Sequence, residues 1–306
     1  SAGTTGLRIY ERLGQREDIE LLNLSEENRK NLSARVEMIN SSEISFLCLP
    51  DAAAKEIVPL VNQNVTLLDT STAHRTCDEW AYGMPELFGG EQKQKIKASH
   101  RIAVPGCHAS GFISLVAPLV EAKIAPCDYP FTAHSQTGFS GGGKSMIADY
   151  AQNCADEEHS SPRQYALAQA HKHLPEMKKM CGLDFNPVFN PIVANFYCGM
   201  VVTVPLFTRL LAKDTTCKSV YEIYKQYYKD QPLIKVHEAN VTPENGFLPT
   251  NALAGSDGLE IFIFGNAEQI VVASRFDNLG KGSSGAAIQC MNILLGNEET
   301  KGLVGF

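Results

Sequence analysis

The first third of the chain alternates between short apolar runs and helix-forming stretches, and this constrains the fold more than any other feature. "EISFLCLP" reads as a buried strand stopped by Pro50, "DAAAKEIVPLV" as a helix and "NVTLLDTS" as a strand. "EQKQKIKAS" follows as a polar helix and "HRIAVPG" as a strand running into a turn. Strands that alternate with helices imply a parallel sheet with helices on both faces. The opening "SAGTTGLRIYERLGQREDIELLNLS" adds a glycine loop, an amphipathic helix from Leu7 to Leu13 and a strand from Ile19 to Leu24. That is the αβ part of a βαβ unit, so a short strand is expected ahead of Ser1, missing from the sequence as given.

From about residue 128 the pattern changes. "YPFTAHSQTG", "NPVFNPIVANFYCGMVVTVPL", "IKVHEAN", "LEIFIFG" and "QIVVASRFD" are longer β-like runs, with helices expected at 163–172 and 218–229. This predicts an α+β second domain on a mixed or antiparallel sheet. "SSGAAIQCMNILLG" reads as a closing amphipathic helix that packs back on the first domain. The expected fold is therefore α/β plus α+β. A Rossmann-type doubly wound dinucleotide-binding domain takes residues 1–106 with 283–306, and a catalytic and oligomerisation domain takes 107–282.

The net charge of -7 argues against nucleic acid or an anionic membrane as a partner. The longest apolar run, "CGMVVTVPLF", falls short of the roughly 18 residues a membrane-spanning helix needs. The nine cysteines are scattered singly, without C-x-x-C or metal-ligand spacing. That favours reduced thiols, a cytoplasmic setting and no structural metal.

Gly3 and Gly6 have the spacing of a partial G-x-G-x-x-G. With Thr4 and Thr5 they would offer a helix start to a pyrophosphate. After the second strand come Ser25, Arg29 and Lys30, suited to a 2′-phosphate and hence to NADP; Glu26 keeps NAD open. Leu49 and Pro50, closing the next strand, complete the cofactor set expected in this part of the chain.

"AVPGCHASG" places Cys107 on the first turn of a helix after a Pro-Gly turn. Helix N–H groups and the dipole stabilise a thiolate there. The other cysteines (Cys48, Cys77, Cys127, Cys154, Cys181, Cys198, Cys217 and Cys290) lack that setting and are expected as small buried residues. A nucleophilic cysteine needs an acid–base partner, and His171 and His173 in "AHKHLPE" are candidates. As a metal pair they would be poorly placed, since i,i+2 residues of a helix face apart.

"GFSGGGKS" fits the P-loop pattern G-x-x-x-x-G-K-[ST]. The strand before it is weakly apolar, and the best apolar run ending in Asp, "VTLLD" at Asp69, lies upstream, with no clean equivalent downstream. The alternative is a mobile loop, its Ser140, Gly141 and Gly142 holding a substrate phosphate with Lys144 as a point charge.

The stretches "AVPGCHASGFISLVAP", "YGMPEL", "TGFSGGGK", "AHKHLPEM" and "DNLGKGSSGAAIQCMN" together resemble N-acetyl-γ-glutamyl-phosphate reductase in its shorter form. The resemblance runs from Ser1 nearly to the C-terminus. It implies a two-domain NADPH-dependent reductase of an acyl phosphate in arginine biosynthesis, related to aspartate-semialdehyde dehydrogenase. Cys107 would be the nucleophile and His171 the acid–base. Tyr165 lies six residues before His171, as in the family pattern, and Asn278 would lie near the nicotinamide. Two stretches depart from that pattern. His108 stands where the family has an aromatic residue. The "AHR" of "STAHRT" stands where longer members commonly have Asp-Phe-Arg, leaving Arg75 as a substrate-site candidate.

On this reading Cys107 forms a thioacyl-enzyme, NADPH reduces it and His171 supplies a proton to the oxygen. The partners are the acyl phosphate and phosphate, and the assembly a homodimer or homotetramer. The competing readings are an aspartate-semialdehyde dehydrogenase-like reductase, a P-loop NTPase and a non-catalytic dinucleotide-binding regulator.

Overall fold

The computed structural model describes residues 3–153 and 156–306; Ser1, Ala2, Cys154 and Ala155 lie outside it. It divides into one unit of residues 1–105 with 283–303 and a second of residues 106–282 with 304–306.

In the first unit α1 (Thr4–Leu13) starts one turn earlier than its apolar spacing suggests. It turns Ile9 and Leu13 inward and leaves Leu7, Tyr10 and Glu11 exposed. There follow α2 (Leu32–Asn40), β1 (Ile44–Leu47), α3 (Asp51–Ile57), β2 (Thr66–Asp69), β3 (Ala81–Tyr82), α4 (Glu91–Lys97) and β4 (Arg101–Ala103). The four strands pair in the order β1-β2-β4-β3, all parallel. Period-two alternation sends consecutive residues of β2 to opposite faces. Leu68 joins Ile9, Leu13, Ile96 and Ile102 on one face, and Leu67 joins Leu47, Ile57 and Val65 on the other. Each such side chain contributes about 1.5–3 kcal/mol on burial. Two covered faces make the sheet doubly wound.

The strand expected at Ile19–Leu24 does not form. Ile19 and Leu21 do pack against the Ile9 cluster. A strand, however, needs a neighbouring backbone to satisfy its N–H and C=O groups, and no described segment pairs with this one.

The second unit begins with α5 (Cys107–Glu121), then β5 (Thr132–Gly138), α6 (Gly143–Asn153), α7 (Glu157–Ser160), β6 (Arg163–Gln164) and α8 (Leu174–Met180). It continues through β7 (Val188–Ala194), β8 (Met200–Phe207), α9 (Cys217–Tyr227), β9 (Ile234–Val236), β10 (Leu259–Gly265) and β11 (Gln269–Phe276). Its seven strands run in the order β6-β7-β5-β8-β11-β10-β9. The sheet is mixed: β5 pairs with β7 in parallel and with β8 antiparallel.

Helix α5 is buried from His108 to Leu119. Pro118 lies inside it and cannot donate to the carbonyl of Ser114. The hydroxyl of Tyr228 donates to that carbonyl instead, at 2.7 Å. Four residues earlier the Tyr224 hydroxyl donates to the Leu115 carbonyl at 2.6 Å. The i,i+4 spacing of the two tyrosines puts both on one face.

Two expectations for this unit fail. Residues 163–172 are not helical: Ala166 and Gln169 have φ of 53° and 54°, which a right-handed helix excludes. The Gln169 side chain instead accepts from the Phe189 N–H at 2.9 Å and donates to the Phe189 carbonyl at 2.8 Å. The long run ending in "VVTVPL" breaks into β7 and β8.

The chain returns to the first unit through α10 (Gly285–Leu294). The helix expected as amphipathic is buried at every position from Gly285 to Ile293. Its apolar side joins the Ile9 cluster. Its polar side is buried but hydrogen-bonded: Gln289 donates to Glu86 at 2.8 Å, and Asn292 to the carbonyls of Glu299 and Lys301, both at 2.9 Å.

Candidate active site

Gly106 is the N-cap of α5, in extended conformation, so Cys107 opens the helix's first turn. No side chain caps this end, and the first amides favour a negative charge. The turn is fixed from behind: the Gly106 N–H donates to Oε1 of Glu176 at 2.8 Å, and Glu176 is buried in α8. A Cβ on Gly282 would lie 2.9 Å from the Cβ of Cys107, so only glycine fits beside the thiol-bearing residue.

Three histidines and a tyrosine gather in this unit. The His171 and His173 rings are 4.7 Å apart, and His108 lies 5.4 Å from His171 and 5.6 Å from His173. The Tyr165 ring is 6.0 Å from His171. The two close histidines do not face apart as on a helix, because His171 precedes α8 in a turn. The His173 N–H donates to Nδ1 of His171 at 3.2 Å. That nitrogen is therefore the acceptor and Nε2 carries the hydrogen. Burial, then the charge of Lys172, pushes His171 down to about 4, so the ring is neutral near pH 7.

His108 is fully enclosed. Burial, then His171 and Lys172, pushes it down to about 3. Its Nδ1 lies 2.6 Å from the Ser135 hydroxyl and its Nε2 2.6 Å from the Tyr165 hydroxyl. Burial and the neighbouring Cys107 raise the Tyr165 phenol beyond any working pH, so it stays protonated. The edge of Phe189 closes the pocket, 5.2 Å from both His108 and His171.

"GFSGGGKS" is ordered: β5 leads through a short 3-10 turn into α6. The strand–loop–helix context of a P-loop is thus present, more fully than the weakly apolar strand suggests. Packing nonetheless explains its glycines. A Cβ on Gly138 would lie 2.6 Å from the Tyr197 carbonyl oxygen, one on Gly142 would meet Met146, and Gly143 has a φ of 74°. Ser140 is buried and accepts from Asn278 Nδ2 at 3.0 Å, while Asn278 Oδ1 accepts from the Gly199 N–H at 2.9 Å. Asn278 thus braces the loop, its amide engaged on both sides, and Gly141 lies against it. Lys144 is exposed and makes no ion pair among the described residues.

In the first unit, Gly3 is the N-cap of α1 with no side-chain cap, and a Cβ there would meet nothing within 4 Å among the described residues. Thr5 shares a 2.8 Å hydrogen bond with Ser283, and the buried Thr4 hydroxyl has no partner among the described residues. Gly6, in the first turn of α1, is buried. Open space, bare amides and an orphaned hydroxyl fit the phosphates of a dinucleotide. Ser25 and Lys30 are exposed, and Arg29 pairs with Glu26 at 3.3 Å. Pro50 caps α3, and Leu49 packs under it. Arg75 is buried and donates to the carbonyls of Val104 and Thr70, at 2.8 and 3.0 Å.

Sequence reasoning missed four residues. Glu176 was visible only as the end of "HLPE", and Ser135 only as an inward position of a period-two strand. Phe189 carried no signal. Arg35, whose guanidinium donates to the Arg29 carbonyl at 2.6 Å, looked like one more helix charge. The expectation that the remaining cysteines are buried holds for Cys181, Cys217 and Cys290. It fails for Cys127, which is exposed, while Cys48, Cys77 and Cys198 are half-buried. Among the described residues no three His, Cys, Asp or Glu side chains group as a metal site, and no helix is long and apolar enough to cross a membrane.

Two family models match the chain: the semialdehyde dehydrogenase NAD-binding domain over residues 1–95 and the semialdehyde dehydrogenase dimerisation domain over 107–278. N-acetyl-gamma-glutamyl-phosphate reductase 2 of Nostoc sp. is 39% identical over 312 residues, covering 99% of this chain and 97% of the relative. The N-acetyl-gamma-glutamyl-phosphate reductase of Rhizobium meliloti is 40% identical over 298 residues, covering 96% of each. Among solved structures, aspartate semialdehyde dehydrogenase II of Vibrio cholerae superposes with a TM-score of 0.71, covering 96% of this chain and 95% of that one. At 15% identity it shows a shared fold.

Proposed function

The chain belongs to the N-acetyl-γ-glutamyl-phosphate reductase family, and from that premise we propose that it converts N-acetyl-γ-glutamyl phosphate to N-acetylglutamate 5-semialdehyde and phosphate through a Cys107 thioester. The observation that carries the reading is Cys107 on the uncapped first turn of α5, in the same unit as a neutral His171.

The helix start stabilises the thiolate. The sulfur adds to the acyl-phosphate carbon, the C–S bond forms, and the C–O bond to phosphorus breaks with its electron pair leaving on phosphate. His171 presents Nε2–H, and we assign it to the substrate carbonyl oxygen as charge develops there. This narrows the acid–base role expected from sequence, because protonating Nδ1 would break its contact with the His173 N–H. Glu176 and Gly282 hold the cysteine in place. NADPH, when bound, supplies the reducing equivalent to the thioester carbon.

Gly3, Thr4, Thr5 and Gly6 would hold the dinucleotide phosphates. Ser25, Arg29 and Lys30, joined by Arg35, would receive a 2′-phosphate. Of the group Ser140, Gly141, Gly142 and Lys144, the first three serve the packing of the loop, and Lys144, its exposed cation, is left to meet the substrate phosphate. Arg75 is assigned to the walls of the first unit on its carbonyl contacts. Dinucleotide binding falls to residues 1–106 with 283–306 and chemistry to 107–282. A cytoplasmic homodimer or homotetramer completes the reading, supported by the dimerisation-domain match. A P-loop function is not favoured, since packing accounts for the glycines.

The test is phosphate-dependent reduction of NADP⁺ with N-acetylglutamate semialdehyde, set against aspartate semialdehyde. Turnover of the first substrate alone supports the proposal. Turnover of aspartate semialdehyde alone moves the chain to the related reductase, and turnover of neither removes the function.

A further inference from the structure

His108 stands next to the nucleophile, is buried, and has a hydrogen-bond partner on each ring nitrogen. A neutral imidazole is a donor at one nitrogen and an acceptor at the other, so the three-residue chain must run in one direction. Two directions are conceivable. If Nδ1–H donated to Ser135, the serine's own hydrogen would need another acceptor. Ser135 is fully buried, and among the described residues its hydroxyl meets only His108. A buried donor left without a partner is costly, whereas a hydroxyl oxygen with a spare lone pair is tolerated far better. Either direction leaves one hydroxyl hydrogen unclaimed by the protein; Tyr165 is only half-buried, so its hydrogen can meet water or a ligand, whereas that of the fully buried Ser135 cannot. Ser135 therefore donates to Nδ1, which leaves the hydrogen on Nε2. Nε2–H then donates to the Tyr165 oxygen, and the phenol hydrogen points away from His108 into the pocket it shares with His171.

We infer that Tyr165 is a second hydrogen-bond donor to the substrate carbonyl oxygen, aimed by His108 acting as a positioning residue braced on Ser135. The inference rests on the reductase reading above and deepens it. His171 has the same construction: a fixed donor, there the His173 N–H, occupies Nδ1 and leaves Nε2–H to the pocket. Two imidazoles with matching tautomers thus support two donors, Nε2–H of His171 directly and the phenol O–H of Tyr165 through His108. The phenol donates without giving up its proton, so no proton source is needed behind Ser135. As the sulfur adds and the carbonyl oxygen takes up negative charge, both donors shorten onto it; as phosphate leaves and the carbonyl re-forms, both relax. A chain whose members polarise one another in the same sense strengthens its terminal donor.

The experiment uses the full-length protein and two readouts, neither requiring NADPH. The first is the ring tautomer of His108, read by ¹⁵N NMR at pH 7; the inference requires hydrogen on Nε2, and hydrogen on Nδ1 overturns it. The second is the single-turnover burst of phosphate from the acyl phosphate, which reports acylation of Cys107. Tyr165→Phe, which removes one oxygen, is expected to slow the burst on the order of 10²-fold without changing its half-saturating concentration. His108→Phe is expected to slow it about tenfold by leaving the tyrosine unaimed. In the double variant the His108 change should add almost nothing. Additive losses would show that His108 acts by packing alone, and a Tyr165→Phe burst within twofold of the parent would remove the tyrosine from the site. Alkylation of Cys107 by iodoacetamide controls for folding: should Tyr165→Phe or His108→Phe slow alkylation as much as the burst, the effect lies in the thiol and the inference fails. A parent protein that gives no burst at all, while its His108 tautomer is as required, would refute the reductase reading and not the hydrogen-bond direction.

Discussion

Two glycine-led stretches, each ahead of a helix, look alike as letters and differ in what surrounds them. At Gly3 an added Cβ meets nothing within 4 Å among the described residues, and the Thr4 hydroxyl beside it lacks a partner among them. At Gly138 the same Cβ would strike the Tyr197 carbonyl at 2.6 Å, and Ser140 is already tied to Asn278. Among the described residues the first stretch keeps its space and a polar group unspent; the second has its glycines used by the protein. A loop pattern therefore identifies a phosphate site only when the structure leaves its space and polar groups unspent. The Cys107 pocket is closer to the second kind. His108 and His171 there are already hydrogen-bonded within the protein, whereas, among the described residues, the Thr4 hydroxyl at the start of α1 is not.

The largest test of this contrast is Cys107→Ser. Turnover should fall by at least about 10³-fold, with NADPH binding, followed by nucleotide fluorescence, almost unchanged. A parallel loss of NADPH binding would mean the pocket and the open helix start are not separate. Next comes His171→Asn, expected to lower kcat on the order of 10²–10³-fold with KM for NADPH unmoved, and His173→Ala should cost far less. A larger loss at His173 would reverse the two roles.

The partnered pocket also has a pH signature. His108 and His171 are held at about 3 and about 4, well below an ordinary histidine. The unfolded chain takes up these protons as pH drops through about 6.5 while the folded chain refuses them. The stability they are linked to is complete above that pH and drains away as pH falls toward 4. His108→Gln, whose side chain does not titrate, should therefore lose less Tm than the parent between pH 7 and pH 4.5. Equal losses would place the acid sensitivity outside this pocket.

Strand–helix alternation revealed the first unit because two-faced burial leaves runs such as "TLLD" apolar at consecutive positions. It failed at Ile19–Leu24, where side-chain alternation is real but no described backbone lies alongside, and alternation cannot report a missing neighbour. It failed again at 163–172, where Gln169 mimics a strand partner for Phe189, a contact no local pattern encodes. The placement of Cys107 at a helix start was legible because its Pro-Gly turn and its helix are local. Glu176 and Ser135 were not, because each matters only through a residue dozens of positions away. The closing helix was misread for a related reason: Gln289 and Asn292 are polar letters, yet their partners come from distant loops and let them be buried.

The glycine contrast can be sharpened by substituting both stretches. Gly138→Ala should destabilise the protein by about 1–3 kcal/mol, since the carbonyl it strikes is backbone and cannot swing aside. Gly3→Ala should leave Tm unchanged and weaken NADPH binding, because the space it fills belongs to the ligand. The opposite pair of results would show that the open space at α1 is incidental.

The smallest effect is expected at the loop after α1, where it tests the proposed basis of cofactor choice. Arg29 is held by an exposed ion pair with Glu26, and such pairs are worth little in water, so a 2′-phosphate can displace the carboxylate. Losing one charge-assisted bond should cost NADPH about 1.5–3 kcal/mol and NADH almost nothing. Arg29→Ala should then narrow the NADPH/NADH preference about tenfold or more, read from the ratio of kcat/KM for the two nucleotides. Glu26→Gln should widen it slightly, by releasing Arg29. Lys30→Ala is expected to act in the same direction as Arg29→Ala but more weakly, a solvated ammonium lacking the fork that grips a phosphate. An unchanged ratio in both Arg29→Ala and Lys30→Ala would exclude this loop from the 2′-phosphate site. Glu26 would then be the residue to examine as a partner for the ribose hydroxyls of NADH.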